Sequence, residues 1–456
     1  MLIQRFEEKG LSHYSYIVGC QKTGQVAVID PRFDVDLYLD YAEKHQCVIS
    51  HVFETHIHAD YASGARYLAS RCGATLCLSA YDKGEKYEVN FPHQECFDGD
   101  SFQLGTLTLK VLHTPGHTPE HISFLAIEKD QPVALFSGDF LFVGSVGRPD
   151  LIGEEATVGL AKKLYASIQE KLSTLPNSVE IYPSHGAGSF CGGGMAARSS
   201  STLGQERLSN PFLKPHLTET EFVDLILSRI PFRPDYFLRM KEYNAGNNRK
   251  QLVSPVPLEH NVFKKHQEKG ATVLDLRDQK AFSRGHIPGA ICIGEGDKVG
   301  FWASMVVPYD KPLLIVTDDP LTASEAFASL ARVGLVQIEG YLKGGMALWE
   351  KEGEPLETTP EVTPERLQGM KDVQIIDVRS IGEWVGGHIE KAHHIPCGEL
   401  SQKLNELPSG HLVFVCAGGY RSILAASLAQ KQGRKLVSHL PGGVLAWHGA
   451  GLPLIS

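Results

Sequence analysis

The C-terminal part of the chain is written twice. "VLDLRDQKAFSRGHIPGAICI" matches "IIDVRSIGEWVGGHIEKAHHI", with Asp275 and Asp377, Arg277 and Arg379, and His286 and His388 each 102 positions apart. "GGMALW" and "GGVLAW" close the two copies, and Gly344 and Gly442 are separated by 98. Solenoid units run to roughly 20–50 residues, so a period of this length means that each copy is a whole small domain. Each reads strand, helix, strand, helix, which predicts a doubly wound parallel sheet. The expected boundaries are 258–357 and 358–456.

At about 150 residues per domain, a chain of 456 residues has room for one more domain, over 1–257. There "YIVGC", "VAVID", "ISHVFETH", "LTLKVLHTPGHT" and "VALFSGDF" read as strands by length and β-branched content. "LYLDYAEKHQ", "ASGARYLASRC" and "GLAKKLYASIQEKLSTL" carry apolar residues at helical spacing. The mixture predicts an α/β domain built in layers. Between Ser209 and Pro257, "TETEFVDLILSRIPFRPDYF" opens with a capping box from Thr218 to Glu221 and breaks at Pro231 and Pro234. A helical extension followed by a linker is expected.

Composition narrows the partners. Forty-four Lys and Arg against 53 Asp and Glu leave a net charge of -9, which argues against nucleic acid held by charge. Nine scattered cysteines argue against a disulfide framework and for a reducing compartment. The N-terminus, "MLIQRFEEKG", has acidic residues where a signal peptide would carry its apolar core. No apolar run reaches the roughly 18–20 residues that cross a bilayer. A soluble cytoplasmic protein that does not engage a membrane is expected, and a homo-oligomer is the base-rate assembly.

"ETHIHADYASG" supplies His56, His58 and Asp60 just after a predicted strand. "HTPGHTPEH" supplies His113, His117 and His121, "FSGDF" supplies Asp139, and "YPSHGAGS" supplies His185. Imidazoles and carboxylates on several loops at one sheet edge are what a borderline divalent metal requires. "THIHAD", "HTPGHT", "SGD" and "PSHG" together resemble the metallo-β-lactamase signature, which implies an αββα sandwich. Hydrolases of the glyoxalase II kind end an HxHxDH motif with histidine, whereas this chain has Tyr61 there. A phenol, with a pKa near 10, is a poor ligand at neutral pH.

The branch it is similar to instead is the persulfide dioxygenases, which keep a single iron. That resemblance implies one Fe(II) per chain on His56, His117 and Asp139, with positions open for a sulfur substrate and O2. His58, Asp60 and His185 are then groups that hydrogen-bond to ligands or bound water, or part of a weak second site. Arg148 in "VGRPDL" fits the family pattern as a structural salt bridge or a substrate contact. Cys191 in "HGAGSFCGGG" lies where fused relatives carry a cysteine near the iron; it is a sulfur relay or an incidental thiol.

In the second repeat, "HLVFVCAGGYRSILAASLAQKQG" is a strand, a short loop and a helix. Cys416 and Arg421 bracket Ala417, Gly418, Gly419 and Tyr420. The two glycines let successive N–H groups turn inward as an anion nest, and the helix N-terminus adds its positive end. Both favour thiolate, so Cys416 is expected to be nucleophilic at neutral pH. The loop, with "DVR", "GHI" and the closing "GG" and Trp, resembles the rhodanese sulfurtransferases. Their phosphatase relatives use a loop one residue longer. In the first repeat Thr317 aligns with Cys416, and "TDDPLT" has neither Cys nor Arg. Asp318 and Asp319 would repel an anion, so this copy is expected to be inactive, a structural element, spacer or docking surface. Cys20, Cys47, Cys72, Cys77, Cys96, Cys292 and Cys397 read as small packing residues.

Together the resemblances imply a persulfide dioxygenase–rhodanese fusion enzyme. It would oxidise a low-molecular-weight thiol persulfide with O2 to sulfite, then pass sulfane sulfur from Cys416 to sulfite, giving thiosulfate and detoxifying sulfide. Two other readings stay open: a glyoxalase II-type thioester hydrolase fused to a sulfurtransferase, and a sulfur carrier or sensing module. Tyr61 weighs against the first, and the complete metal triad and cysteine loop weigh against the second.

Overall fold

The computed structural model describes residues 1–247, 254–294 and 296–455, so residues 248–253 of the expected linker lie outside it. The chain divides into two compact units, Met1–Gln251 with Ala331–Gly334, and Leu252–Leu330 with Leu335–Ser456.

Two six-stranded sheets make the first unit. Strands β1 (Leu2–Glu8), β2 (His13–Gly19), β3 (Gln25–Ile29), β4 (Val48–Phe53), β5 (Thr75–Ser79) and β6 (Gln94–Cys96) lie side by side in chain order. The second sheet begins with β7 (Ser101–Leu104), β8 (Leu107–His113), β9 (Ile122–Glu128) and β10 (Gln131–Gly138). A short hairpin, β11 (Leu141–Phe142) with β12 (Ser145–Val146), precedes its last strands, β13 (Glu180–Pro183) and β14 (Ser201–Thr202). Helices α1 (Asp36–Lys44) and α2 (Ala65–Cys72) back the first sheet, and α3 (Glu154–Leu172), α4 (Leu203–Ser209) and α5 (Glu219–Leu227) back the second.

Side-chain alternation explains the layers. Tyr16, Val18, Ala27 and Ile29 share the inter-sheet core with Phe124 and Ala126, while Ile17, Val26 and Val28 pack with α1 and α2. Leu125 points the other way, to Leu164 and Ile168 of α3. Strands buried on both faces read as continuous apolar runs, as seen here. The result is the αββα sandwich. β3 runs parallel to β4, β10 parallel to β13, and β8 and β10 are each antiparallel to β9. The loops after β8, β10 and β13 therefore leave from one end of their sheet.

The capping box at Thr218 forms and starts α5, whose Phe222 and Ile226 join the α3 core. The linker, however, begins later than the prolines suggested. A further helix, α6 (Tyr236–Ala245), buries Tyr236, Phe237, Met240, Lys241 and Asn244 at helical spacing and belongs to the first domain.

The second unit holds the two repeats as parallel sheets. The first copy orders β15 (Pro257–Leu258), β16 (Thr272–Asp275), β17 (Ile291–Cys292), β18 (Leu313–Val316) and β19 (Ile338–Leu342) as β15-β19-β18-β16-β17. Its helices are α7 (His260–Glu268), α8 (Gln279–Arg284), α9 (Val299–Val306), α10 (Pro320–Arg332) and α11 (Gly345–Lys351). The second orders β20 (Val373–Asp377), β21 (His393–His394), β22 (His411–Val415) and β23 (Val437–His439) as β21-β20-β22-β23. Its helices are α12 (Pro364–Gly369), α13 (Ile381–Val385), α14 (Leu400–Lys403), α15 (Tyr420–Lys431) and α16 (Gly443–Gly449).

The repeated motif residues do the same structural work in both copies. Arg277 pairs with Asp275 at 2.7 Å and donates to the Gly285 carbonyl at 2.8 Å; Arg379 does so with Asp377 and Gly387 at the same distances. His286 stacks on Phe282 at 3.7 Å and His388 on Trp384 at 3.6 Å. Trp349 and Trp447 donate to the carbonyls of Pro355 and Pro453.

Candidate metal centre and cysteine loop

His56, His117 and Asp139 come from the loops after β4, β8 and β10, and one ligand atom of each lies within 4.8 Å of the others. Asp139 Oδ2 is 3.3 Å from His117 Nε2 and 4.0 Å from His56 Nε2. Each histidine is aimed by its other nitrogen. His56 Nδ1 lies 3.0 Å from Thr55 Oγ1, and His117 Nδ1 donates to the Arg148 carbonyl at 2.9 Å. Asp139 is fixed through its backbone N–H, which donates to His121 Nε2 at 3.0 Å. Burial pushes the His121 ring down to about 3, so it stays a neutral acceptor.

The facing atoms of this triad, His56 Nε2, His117 Nε2 and both Asp139 oxygens, are buried without a hydrogen-bond partner, as are both Asp60 oxygens and His185 Nε2. Burial raises the Asp139 carboxyl to about 6. Unpaired buried carboxylates and imidazole lone pairs are costly alone and suit a divalent cation. The donor set therefore fits a metal.

The remaining motif residues separate into two clusters. His58 Nε2 sits 3.2 Å from Asp30 and 3.0 Å from Glu54. Burial opposes its charge, but the two carboxylates prevail and hold the ring well above its ordinary range. His185 Nε2 lies 3.3 Å from Asp60 and 3.6 Å from Asp139, and the Cys191 sulfur joins Asp60 and His185 within 4.8 Å. Burial, then the Asp60 and Asp139 carboxylates, push the Cys191 thiol well up. His113 stands apart, stacked on Tyr81 at 3.7 Å.

Several supporting residues carry no motif. Asp30, at φ +52°, accepts from Thr55 N and Oγ1 and from Ser184 Oγ at 2.7–2.9 Å, and contacts His58. Buried Lys241 of α6 donates to the Ile57 carbonyl at 2.8 Å, and Asn244 donates to the carbonyls of His58 and Tyr61. Arg148 resolves to the structural alternative: it pairs with Asp150 at 2.6 and 2.8 Å and donates to the carbonyls of Phe190 and Phe232.

In the second unit, Cys416 follows β22 and is 1% exposed. Its sulfur accepts the Gly419 N–H at 3.0 Å. Only one of the two glycines is needed for its backbone: Gly419 has φ +105°, while Gly418 has no such φ and a Cβ there would meet open space. The closing Gly443 (φ +56°) is required for close approach, since a Cβ would lie 2.0 Å from the Cys416 carbonyl. Arg421, at the end of the loop, pairs with Glu383 at 2.6 and 2.7 Å. In the first copy Thr317 occupies the matching place after β18, and Asp319 caps α10 by accepting from Leu321 N and Thr322 N. A carboxylate thus fills the helix end that a nest would offer to an anion.

Sequence comparison agrees with this architecture. The metallo-beta-lactamase superfamily profile matches residues 9–185, and the rhodanese-like domain profile matches 259–352 and 363–450. The chain belongs to the metallo-beta-lactamase superfamily and joins that domain to two rhodanese-like domains. A solved metallo-beta-lactamase structure from Staphylococcus aureus is 36% identical with a TM-score of 0.67, covering 75% of this chain and 99% of that one. Mitochondrial persulfide dioxygenase ETHE1 of Mus musculus is 30% identical over 50% of this chain and 80% of its own length. A beta-lactamase hydrolase-like protein of Agrobacterium fabrum is 33% identical over 46% of this chain, which spans only 52% of that relative. Hydroxyacylglutathione hydrolase of Nitrosococcus oceani is 30% identical over 41% of this chain and 66% of its own length. No described helix is long and apolar enough to cross a membrane.

Proposed function

We propose that the chain is an iron-dependent persulfide dioxygenase joined to a sulfurtransferase. The observation that carries this reading is the pairing of a partnerless His56–His117–Asp139 face with a phenol at Tyr61, whose hydroxyl is bonded to the Asp30 backbone. That combination favours one metal with open positions over the two-metal hydrolase site. When bound, Fe(II) supplies redox chemistry with O2 that no side chain here offers.

The chain's own residues hold and shape the site. Thr55, the Arg148 carbonyl and His121 fix the three ligands, and burial keeps bulk water from the reacting groups. The overall reaction is R–S–SH + O2 + H2O → R–SH + sulfite, with two protons released.

At the second site the Cys416 thiolate attacks the outer sulfur of a persulfide, forming Cys416–S–S⁻ and releasing the thiol. Sulfite then takes that sulfur, giving thiosulfate and restoring the thiolate. The Gly419 N–H stabilises the sulfur that gains charge.

Metal analysis of anaerobically purified protein tests the first half. One iron per chain is expected; two zinc ions per chain would instead support the thioester hydrolase.

A further inference from the structure

The copy whose loop lacks a cysteine holds the cysteine loop of its neighbour. Every residue of α15 from Ser422 to Gln430 is buried, although its own sheet covers only one side. A helix buried all round needs a second partner, and the first copy supplies it. Ile423 sits in the core of that copy with Phe263, Phe282 and Leu314, and the Cys292 N–H donates to Ser427 Oγ at 3.1 Å.

The contact reaches the loop itself. Tyr420 donates its hydroxyl to the Ile293 carbonyl of the first copy. Its ring lies against Gly294, where a Cβ would be 3.1 Å from a ring carbon, and 6.1 Å from the Trp302 ring. Gln279 Oε1 comes from the same copy to 3.1 Å of the place a Gly419 Cβ would take. Gly419 is the residue whose N–H meets the Cys416 sulfur.

We propose that Tyr420 is a positioning residue: seated in the Ile293–Gly294–Trp302 slot of the first copy, it fixes the backbone at Gly419 and so the N–H aimed at Cys416. Gln279 packs against the same residue, Gly419. The degenerate copy is then retained as half of the sulfurtransferase scaffold, which explains how its loop can lack both Cys and Arg. This inference rests on the reading that Cys416 carries sulfur.

The test is steady-state thiosulfate-to-cyanide transfer by the full-length protein, with thermal melts in parallel. Tyr420→Phe keeps the ring in its slot and removes the hydroxyl. It should lower kcat about tenfold, less than outright loss of an oxyanion donor, and move KM less than about twofold. Gln279→Ala, which removes no buried ring, should lower kcat about threefold with KM likewise unmoved. Ser427→Ala loosens the same interface away from the loop and should lower the melting temperature without lowering kcat.

Wild-type kcat in both Tyr420→Phe and Gln279→Ala would overturn the proposal. So would an equal kcat loss in Ser427→Ala, because general packing would then account for the effect. Cys416→Ser separates the layers: if it still transferred sulfur, the carrier assignment itself would fall, and the positioning role with it.

Discussion

Tyr61 donates its hydroxyl to the Asp30 carbonyl at 3.2 Å. The residue that would complete a two-metal histidine motif is instead tied to the end of β3, its ring tilted against His13 at 3.9 Å. Burial holds the phenol well above its ordinary pKa, so it stays protonated. Tyr61→His should therefore raise zinc uptake toward two per chain, while dioxygenase activity falls or stays level. An unchanged metal count would mean that Tyr61 does not limit the second site.

His117→Ala removes one of three expected ligands. Oxygen uptake with a persulfide should be abolished, while thiosulfate sulfurtransfer at Cys416 persists, because the two sites lie in separate units. Full oxygen consumption by this variant would show that the ligand assignment is wrong.

Arg148 joins a bidentate pair with Asp150 to two backbone carbonyls while its own carbonyl aims His117. Lysine lacks the planar fork, so Arg148→Lys should cost about 2–4 kcal/mol in chemical denaturation of the first unit. It should also weaken metal retention during dialysis. Wild-type stability together with wild-type retention would exclude this anchoring role.

Arg421 holds the Glu383 carboxyl down to about 2, from an ordinary value of 4.5. A depressed carboxyl contributes stability that is present above the ordinary value and lost as pH falls through the folded one. The pair is partly exposed, so it is worth about 1 kcal/mol or less. Glu383→Gln keeps the helix cap with Ser380 and should lower stability at pH 7. The deficit should shrink between about pH 4.5 and 2. Melts across that range decide it; a deficit independent of pH would place the effect elsewhere.

The clustering of the candidate metal-site residues is legible because its signal is local: His56, His58 and Asp60 alternate within five positions after a strand. The repeat was legible for the same reason, its Asp–Arg and Trp contacts recurring within each copy. What escaped depends on distant contacts. Asp30 orders Thr55 and Ser184 from 25 and 154 positions away, and its φ of +52° has no motif beyond a polar residue ending an apolar strand. Lys241 and Asn244 grip the metal loop from a helix hidden behind Pro231 and Pro234, where only the spacing of Phe237, Met240 and Asn244 could have flagged it. The pairing of Arg421 escaped too, because Glu383, its partner, is 38 residues upstream.

Aerobic turnover of glutathione persulfide by iron-loaded Cys416→Ser protein tests the central claim most directly, with an oxygen electrode and ion chromatography of the products. The iron chemistry should be intact, so one O2 should be consumed per sulfite released, with thiosulfate at the non-enzymatic background. The wild type should give mostly thiosulfate. No oxygen uptake above buffer would contradict the dioxygenase assignment, and enzymatic thiosulfate persisting in Cys416→Ser would move the transfer site elsewhere, with Cys191 the next thiol to test.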